Sequence, residues 1–244
     1  MIALALSGGA TTPVQAQSSM LVIASGLDNP RGLNFGPDGA LYVAEAGRGG
    51  TSELCHVSAE LGTRCYGPSG AVTRITGVGV HSRVLTGLAS IAPASGNTAQ
   101  GPNDIQFGFN SAWIVSGFGG NPLDREQFEA AGIRLGSLVR ATGIEQYAHV
   151  LDISDHEITN PDGGVLDTNP FGMRILGNRI LIADAGANAL LNIGLFGQIS
   201  TIAVFPDRTV GPSTIQSVPT TVVEGPDGFL YVGELTGFPF PVGA

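Results

Sequence analysis

The chain has 244 residues, a formal net charge of −9, no lysine, and charged residues at only 13%. A Schiff-base lysine, a phosphate-cradling GxxxxGK loop and a polybasic face for nucleic acid or anionic membrane are excluded, since each needs a residue the chain lacks or the opposite charge. With 43% hydrophobic residues it can bury a large core, and 37 Gly with 15 Pro point to many tight turns.

Residues 1–19 read as a partial signal peptide and leader: the apolar start MIALAL, the stretch SGGATTP, and Val14-Gln15-Ala16 before Gln17, a small-x-small cleavage pattern. That reading sets an expectation of a secreted or periplasmic protein. Next comes LVIASGL at 21–27, similar to SRVLTGL at 82–88. It is expected to be an orphan outer strand that latches a closed ring of sheets. Cys55 and Cys65, the only cysteines, are expected to form a disulfide across a short loop. Neither belongs to a CxxC motif, and with His56 they are too few for a closed zinc site. No stretch approaches ~18 uninterrupted apolar residues, so no membrane span is expected.

Four segments repeat one pattern: NPRGLNFGPDGALYVAEAG from Asn29, GPNDIQFGFNSAWIVSGFGG from Gly101, NPFGMRILGNRILIADAGANALL from Asn169, and VPTTVVEGPDGFLYVGELTG from Val218. Each starts at a proline and continues as an apolar strand, a turn, a second apolar strand, and a small or acidic residue before Gly. The shared prolines Pro30, Pro102, Pro170 and Pro219 lie 72, 68 and 49 residues apart; two insertions, the cysteine loop and 121–135, account for the longer spacings. A second strand pair follows in the first three repeats: GAVTRITG with SRVLTGL, GSLVRATG with AHVLDIS, and ALLNIGLFG with ISTIAVFP. Four strands per ~40 to 50 residues is the signature of a propeller blade. The GPDG turns at 36–39 and 225–228 suit tight hairpins. One short helix is predicted over 124–135, capped by Asp124 with Gln127 in capping-box spacing and stopped by Gly132. The expected fold is therefore all-β: a propeller of four-stranded antiparallel blades over 20–244, incomplete, with about three and a half blades plus the latch strand, against the usual ~4 to 8 blades.

The strand ILIADAGANALL resembles the NHL repeat. More specifically, NPDGGVLDTNPFG at 160–172, ADAGANALL at 183–191 and VGELTGFPFPVG at 232–243 resemble the ScyD/ScyE family, exported NHL-like propellers named from scytonemin pigment clusters. The resemblance covers about 21–244 and implies a secreted, six-bladed propeller longer than this chain. It supplies no catalytic residue to carry over.

Candidate chemistry sits at repeat-equivalent places. Asn29, Arg31, Asp104, Asn169 and Thr220 flank the shared prolines where the innermost strands begin and are expected to face a ligand in the central channel. Phe171 shares that place. The acids Glu45, Asp184 and Glu234 end the second strand of their repeats, with Gly117 aligned to them in the second. They are expected to serve the following turn, because a residue repeated throughout the array usually serves the repeat. No metal site is assigned; calcium on channel oxygens is the one cofactor kept open. The acidic stretch 152–167, with Asp152, Asp155, Glu157, Asp162 and Asp167, lacks DxDxDG spacing and reads as a solvated connector. His81 and His149 fall in no motif, His156 beside Glu157 reads as surface, and Tyr42, Trp113 and Tyr231 read as packing between blades. The functional expectation is a ligand-binding or assembly module for a small molecule, glycan or protein, with its oligomeric state left open. The alternative is a metal-assisted propeller enzyme such as a lactonase or lyase.

Overall fold

The computed structural model describes residues 20–58, 61–143, 145–161, 163–194, 196–235 and 237, so the leader expected at 1–19 lies outside the described residues. Every shared proline is the first residue of a strand. β1 (Pro30–Phe35) and β2 (Leu41–Glu45) form the first hairpin, followed by β3 (Cys55–Ser58), the long β4 (Gly62–Gly77) and β5 (Val80–Ala92). The second unit has β6 (Pro102–Gly108), β7 (Ser111–Ser116), a 3-10 turn at Pro122–Arg125, helix α1 (Glu126–Ala130), β8 (Ser137–Gly143) and β9 (Gln146–Asp152), then a 3-10 turn at Ser154–Thr159. The third is β10 (Pro170–Leu176), β11 (Arg179–Asp184), β12 (Ala189–Ile193) and β13 (Ile199–Val204). The hairpin β14 (Arg208–Val210) and β15 (Ser213–Ile215) precedes the last pair, β16 (Pro219–Glu224) and β17 (Leu230–Glu234).

The second and third units are four-stranded antiparallel sheets in chain order, and the first is the same meander β1-β2-β4-β5 with β3 added on the early half of β4. The proline position has a local cause. Each proline pairs with the last residue of the next strand, Pro30 with Glu45, Pro102 with Ser116, Pro170 with Asp184 and Pro219 with Glu234, and the register slips immediately afterwards. A proline at a strand's first residue forfeits no interior ladder bond, and the bulge after it re-aims the next side chain. At the far end of two hairpins, Gly39 (φ +76°) and Gly228 (φ +80°) supply the left-handed residue of the GPDG turns.

Consecutive sheets stack face to face. Ala44, Val72 and Leu85 of the first meet Ile105, Ile114 and Val139 of the second; Val115 and Leu138 meet Met173, Ile180 and Ile182 of the third; Leu181 and Leu190 meet Val222. Each such Val, Leu, Ile or Met side chain, fully buried, contributes about 1.5 to 3 kcal/mol. The first strands β1, β6, β10 and β16 lie side by side along the inner edge. These are propeller blades. Burial on both faces explains the nearly continuous apolar strands and the low charge.

Four expectations need correction. Residues 21–27 form no strand; their backbone contact is Gly79 N–H donating to Ile23 O at 2.8 Å, at the hairpin tip of the same blade. The predicted helix over 124–135 is a single turn of five residues, Glu126–Ala130, entered through the 3-10 turn. That 3-10 turn, not the helix, carries the side-chain cap: Asn121 accepts from Leu123 N–H at 3.0 Å, because Pro122 fixes the first turn two residues before Asp124. Tyr231 is 53% exposed, unlike its counterparts Tyr42 and Trp113, since no further blade follows it among the described residues. The connector 152–167 is not wholly solvated: Ile153, Ser154 and Glu157 are buried, and Asp162 lies outside the described residues.

Candidate functional site

The residue directly after each proline is Arg31, Asn103, Phe171 and Thr220, so the bulge position of the second blade belongs to Asn103, with Asp104 one place further on. Asn103 is buried and donates through Nδ2 to Pro170 O at 2.9 Å and to Asn169 Oδ1 at 3.4 Å, tying the second blade to the third. Asp104 spans the same interface: its oxygens accept Ile105 N–H at 2.8 Å and Met173 N–H at 2.9 Å. Burial pushes its carboxyl up to about 6 against those bonds. Gly32 leaves the room it needs, since a Cβ there would collide with Asp104 Oδ1. Asn29, at φ +49°, donates to Gly47 O and Gly96 O, each at 2.7 Å, and thus braces loops. Thr220 Oγ1 donates to Gly233 O at 3.3 Å. Arg31 donates to Ala99 O at 3.0 Å, and its guanidinium carbon lies 5.7 Å from the centre of the Phe171 ring.

The acids that end the second strands are turned onto the chain. Glu45, fully buried, accepts Asp28 N–H at 2.6 Å, the Thr73 hydroxyl, and Arg83 through two bonds at 3.2 and 2.7 Å. Asp184 accepts Asn169 N–H at 2.6 Å, Gly186 and Ala187 N–H at 3.1 Å each, and the Thr168 hydroxyl at 2.8 Å, while burial pushes its carboxyl up. Glu234 meets Arg208 at 3.1 Å nearer the surface. In the second blade the strand register puts Ser116, not Gly117, at the acid's place: Gly117 N–H donates to Gly101 O as Ala46 does to Asn29 O and Ala185 to Asn169 O.

Sequence reasoning missed the contact between the two insertions. The cysteine loop and the helical insertion, from different repeats, fold together over the end of the channel where the prolines lie. The Cys55–Cys65 bridge joins paired residues of β3 and β4 with their Cα atoms 4.0 Å apart, and this register sets His56 opposite Arg64. Gln127 Nε2 donates to Cys55 O at 3.0 Å, and His56 Nε2 lies 3.3 Å from Asp124 Oδ2. The guanidinium of Arg64 can only donate, so His56 Nδ1, 3.5 Å from Arg64 Nη2, is the accepting nitrogen and Nε2 carries the proton toward Asp124. Burial of the ring, assisted by the Arg64 charge and opposed by Asp124, lowers its pKa and keeps it neutral. Phe118 packs on the ring at 4.6 Å between centroids. Gly120 leaves its edge free, since a Cβ there would stand 2.5 Å from His56 Cε1.

Beneath this pair is a cavity of about 550 Å³, lined by His56, Asp124 and Gln100, by Asn169, Phe171 and Thr220 of the channel, and by Val57, Leu61, Val165, Leu166, Val218 and Leu235. Gln100, 9% exposed, has its Oε1 buried with no hydrogen-bond partner. Of the channel-facing expectations, Asn169 and Thr220 line this mouth, Arg31, Asp104 and Thr220 line a groove further in, and Asn29 lines neither.

No family model matches the chain, and no curated protein matches it. Among solved structures, virginiamycin B lyase from Staphylococcus aureus shares 14% identity over 85% of this chain and 78% of that one, at a TM-score of 0.37. A glucose dehydrogenase-type oxidoreductase from Thermus thermophilus shares 18% identity over 86% and 91%, at a TM-score of 0.35. Likenesses this distant carry no activity to this chain.

The cluster among the described residues with metal-ligand spacing is Glu129, Asp152 and Asp155. It already surrounds a cation: Arg125, 1% exposed, meets Glu129 at 3.2 Å, Asp152 at 2.9 Å and Asp155 at 2.6 Å, fastening the helical insertion to the end of β9. His156, read as surface, instead has Nε2 2.8 Å from Thr201 Oγ1, because the 3-10 turn folds it onto β13. His149 Nδ1 likewise lies 3.1 Å from Ser137 Oγ.

Proposed function

We propose that this chain is an exported β-propeller that binds a small molecule at the mouth of its channel, a ScyD/ScyE-like module of an extracytoplasmic, pigment-type biosynthetic process. The observation that carries the reading is the His56–Asp124 contact, which joins two insertions from different blades above a cavity of about 550 Å³. That volume falls in the range of small-ligand pockets, and its apolar wall with a few convergent polar groups is their usual composition, which favours a small molecule over a glycan chain or protein. Variable loops on a repeated scaffold are where function is grafted. Export is supported by the Cys55–Cys65 disulfide, since such bonds persist in oxidising compartments. Among the described residues no helix is long and apolar enough to cross a membrane.

The metal-assisted lactonase or lyase reading needs open oxygens in the channel. Both Asp104 oxygens face backbone N–H groups, and Gln100 Oε1 and Asn103 Oδ1, unpartnered oxygens of lining residues, belong to neutral amides, so binding is the better-supported reading. A thermal-shift screen of sugars, aromatic amines and lactones tests it. Stabilising hits should disappear in His56→Ala and Asp124→Ala; hits untouched by both substitutions would refute the site.

A further inference from the structure

A groove lies further inside the channel and shares Phe171 and Thr220 with the mouth. The groove between the first strands of the blades has a volume of about 580 Å³, and two arginines, Arg31 and Arg174, line it. Five other arginines, 48, 74, 83, 125 and 208, are each within ion-pair distance of a carboxylate. Arg31 and Arg174, like Arg134, Arg140 and Arg179, have no such partner among the described residues, although the chain carries 20 acids against 11 basic residues. Arg31 is half-buried, its Nε is buried without a hydrogen-bond partner, and its other contacts are one carbonyl and the Phe171 ring. The acid in the same groove, Asp104, spends both oxygens on backbone N–H groups and leaves Arg31 uncompensated. A cation taken from water without a counter-charge is costly, and a guanidinium held against an aromatic ring presents its remaining donors in a fixed plane.

We infer that this groove is an oxyanion site, in which Arg31 binds a carboxylate or phosphate group of a ligand and Arg174 adds the second positive charge. Thr221 lines the groove beside them and offers a hydroxyl donor, whereas the Thr220 hydroxyl is donated to Gly233 O. A planar guanidinium matches the two oxygens of a carboxylate or phosphate, which a lysine would not, and the lysine-free composition leaves arginine to do this work.

The test is a two-dimensional NMR titration of the arginine Nε–H resonances of the whole chain with inorganic phosphate and, separately, acetate across the millimolar range. Saturable movement of the Arg31 resonance is expected with at least one of them, and the tighter of the two names the group. Arg31→Gln should weaken binding about ten- to a hundredfold, the loss of a charged hydrogen bond, while Arg31→Lys should retain part of it. In Arg31→Gln and Arg31→Lys the Arg174 resonance is the reporter; no response to either anion, or an Arg174 response unchanged in Arg31→Gln, would overturn the inference. The groove adjoins the mouth through Phe171 and Thr220, but His56 lines only the mouth and Arg31 only the groove: His56→Ala should leave the titration unchanged, so failure at one site is distinguishable from failure at the other.

Discussion

His56 Nε2 and Asp124 Oδ2 lie 3.3 Å apart across 68 residues of sequence, one on a disulfide-clamped hairpin and the other on a helical insertion. Neither insertion needs the other to complete its own backbone pairing, so their meeting is a tertiary event. A double-mutant cycle of His56→Ala and Asp124→Ala on thermal stability should give a coupling of about 0.5 to 1 kcal/mol, the modest figure for a pair with one exposed partner. Strict additivity would mean the contact is incidental.

The disulfide holds His56 in place through the register of β3 on β4. Replacing both cysteines with serine should cost about 2 to 3 kcal/mol, the chain-entropy value for a loop this short, and should abolish thermal-shift hits at the mouth. Mass spectrometry of exported protein should find Cys55 and Cys65 linked.

Asp184 and Glu234 occupy one repeat position and should behave differently. Asp184→Ala strands three backbone N–H groups and one hydroxyl in a buried turn and should cost about 3 to 5 kcal/mol in chemical denaturation. Glu234→Ala removes a partly exposed ion pair and should cost about 0 to 1 kcal/mol.

Asp104 should give the stability profile a slope of unusual sign. Its carboxyl is pushed up to about 6 by burial, above the unfolded value of about 4. The folded state therefore holds the proton more tightly, and the stabilisation present below pH ~4 is lost as the pH rises through about 6. Denaturation of wild type and Asp104→Asn across that window should show a smaller fall in the variant, in which Asp184, also pushed up by burial, is the group that remains. Parallel profiles would place the titration elsewhere.

Much of the fold was legible because the repeat writes its own geometry. A proline that opens a strand, a GPDG turn and an acid beside the next turn each meet a local backbone need, and such needs recur wherever the blade recurs. Register was legible only by counting from the prolines: Asn103 directly follows Pro102, and Ser116 stands as far beyond Pro102 as Asp184 beyond Pro170, places that matching by residue type gave to Asp104 and Gly117. The hairpin β14–β15 escaped notice because three-residue strands show no alternation. The mouth of the channel was least legible, since His56 and Asp124 belong to stretches that break the repeat, and no periodicity connects them. Gln100 gave no signal either; only its burial and unpaired oxygen mark it.

The most direct measurement is a crystallographic fragment screen of the protein. Density for bound fragments is expected under the His56–Asp124 pair, against Phe171 and within reach of Gln100. Fragments bound only elsewhere, such as the apolar cleft between the first two blades lined by Tyr42 and Phe107, would contradict the mouth as the binding site.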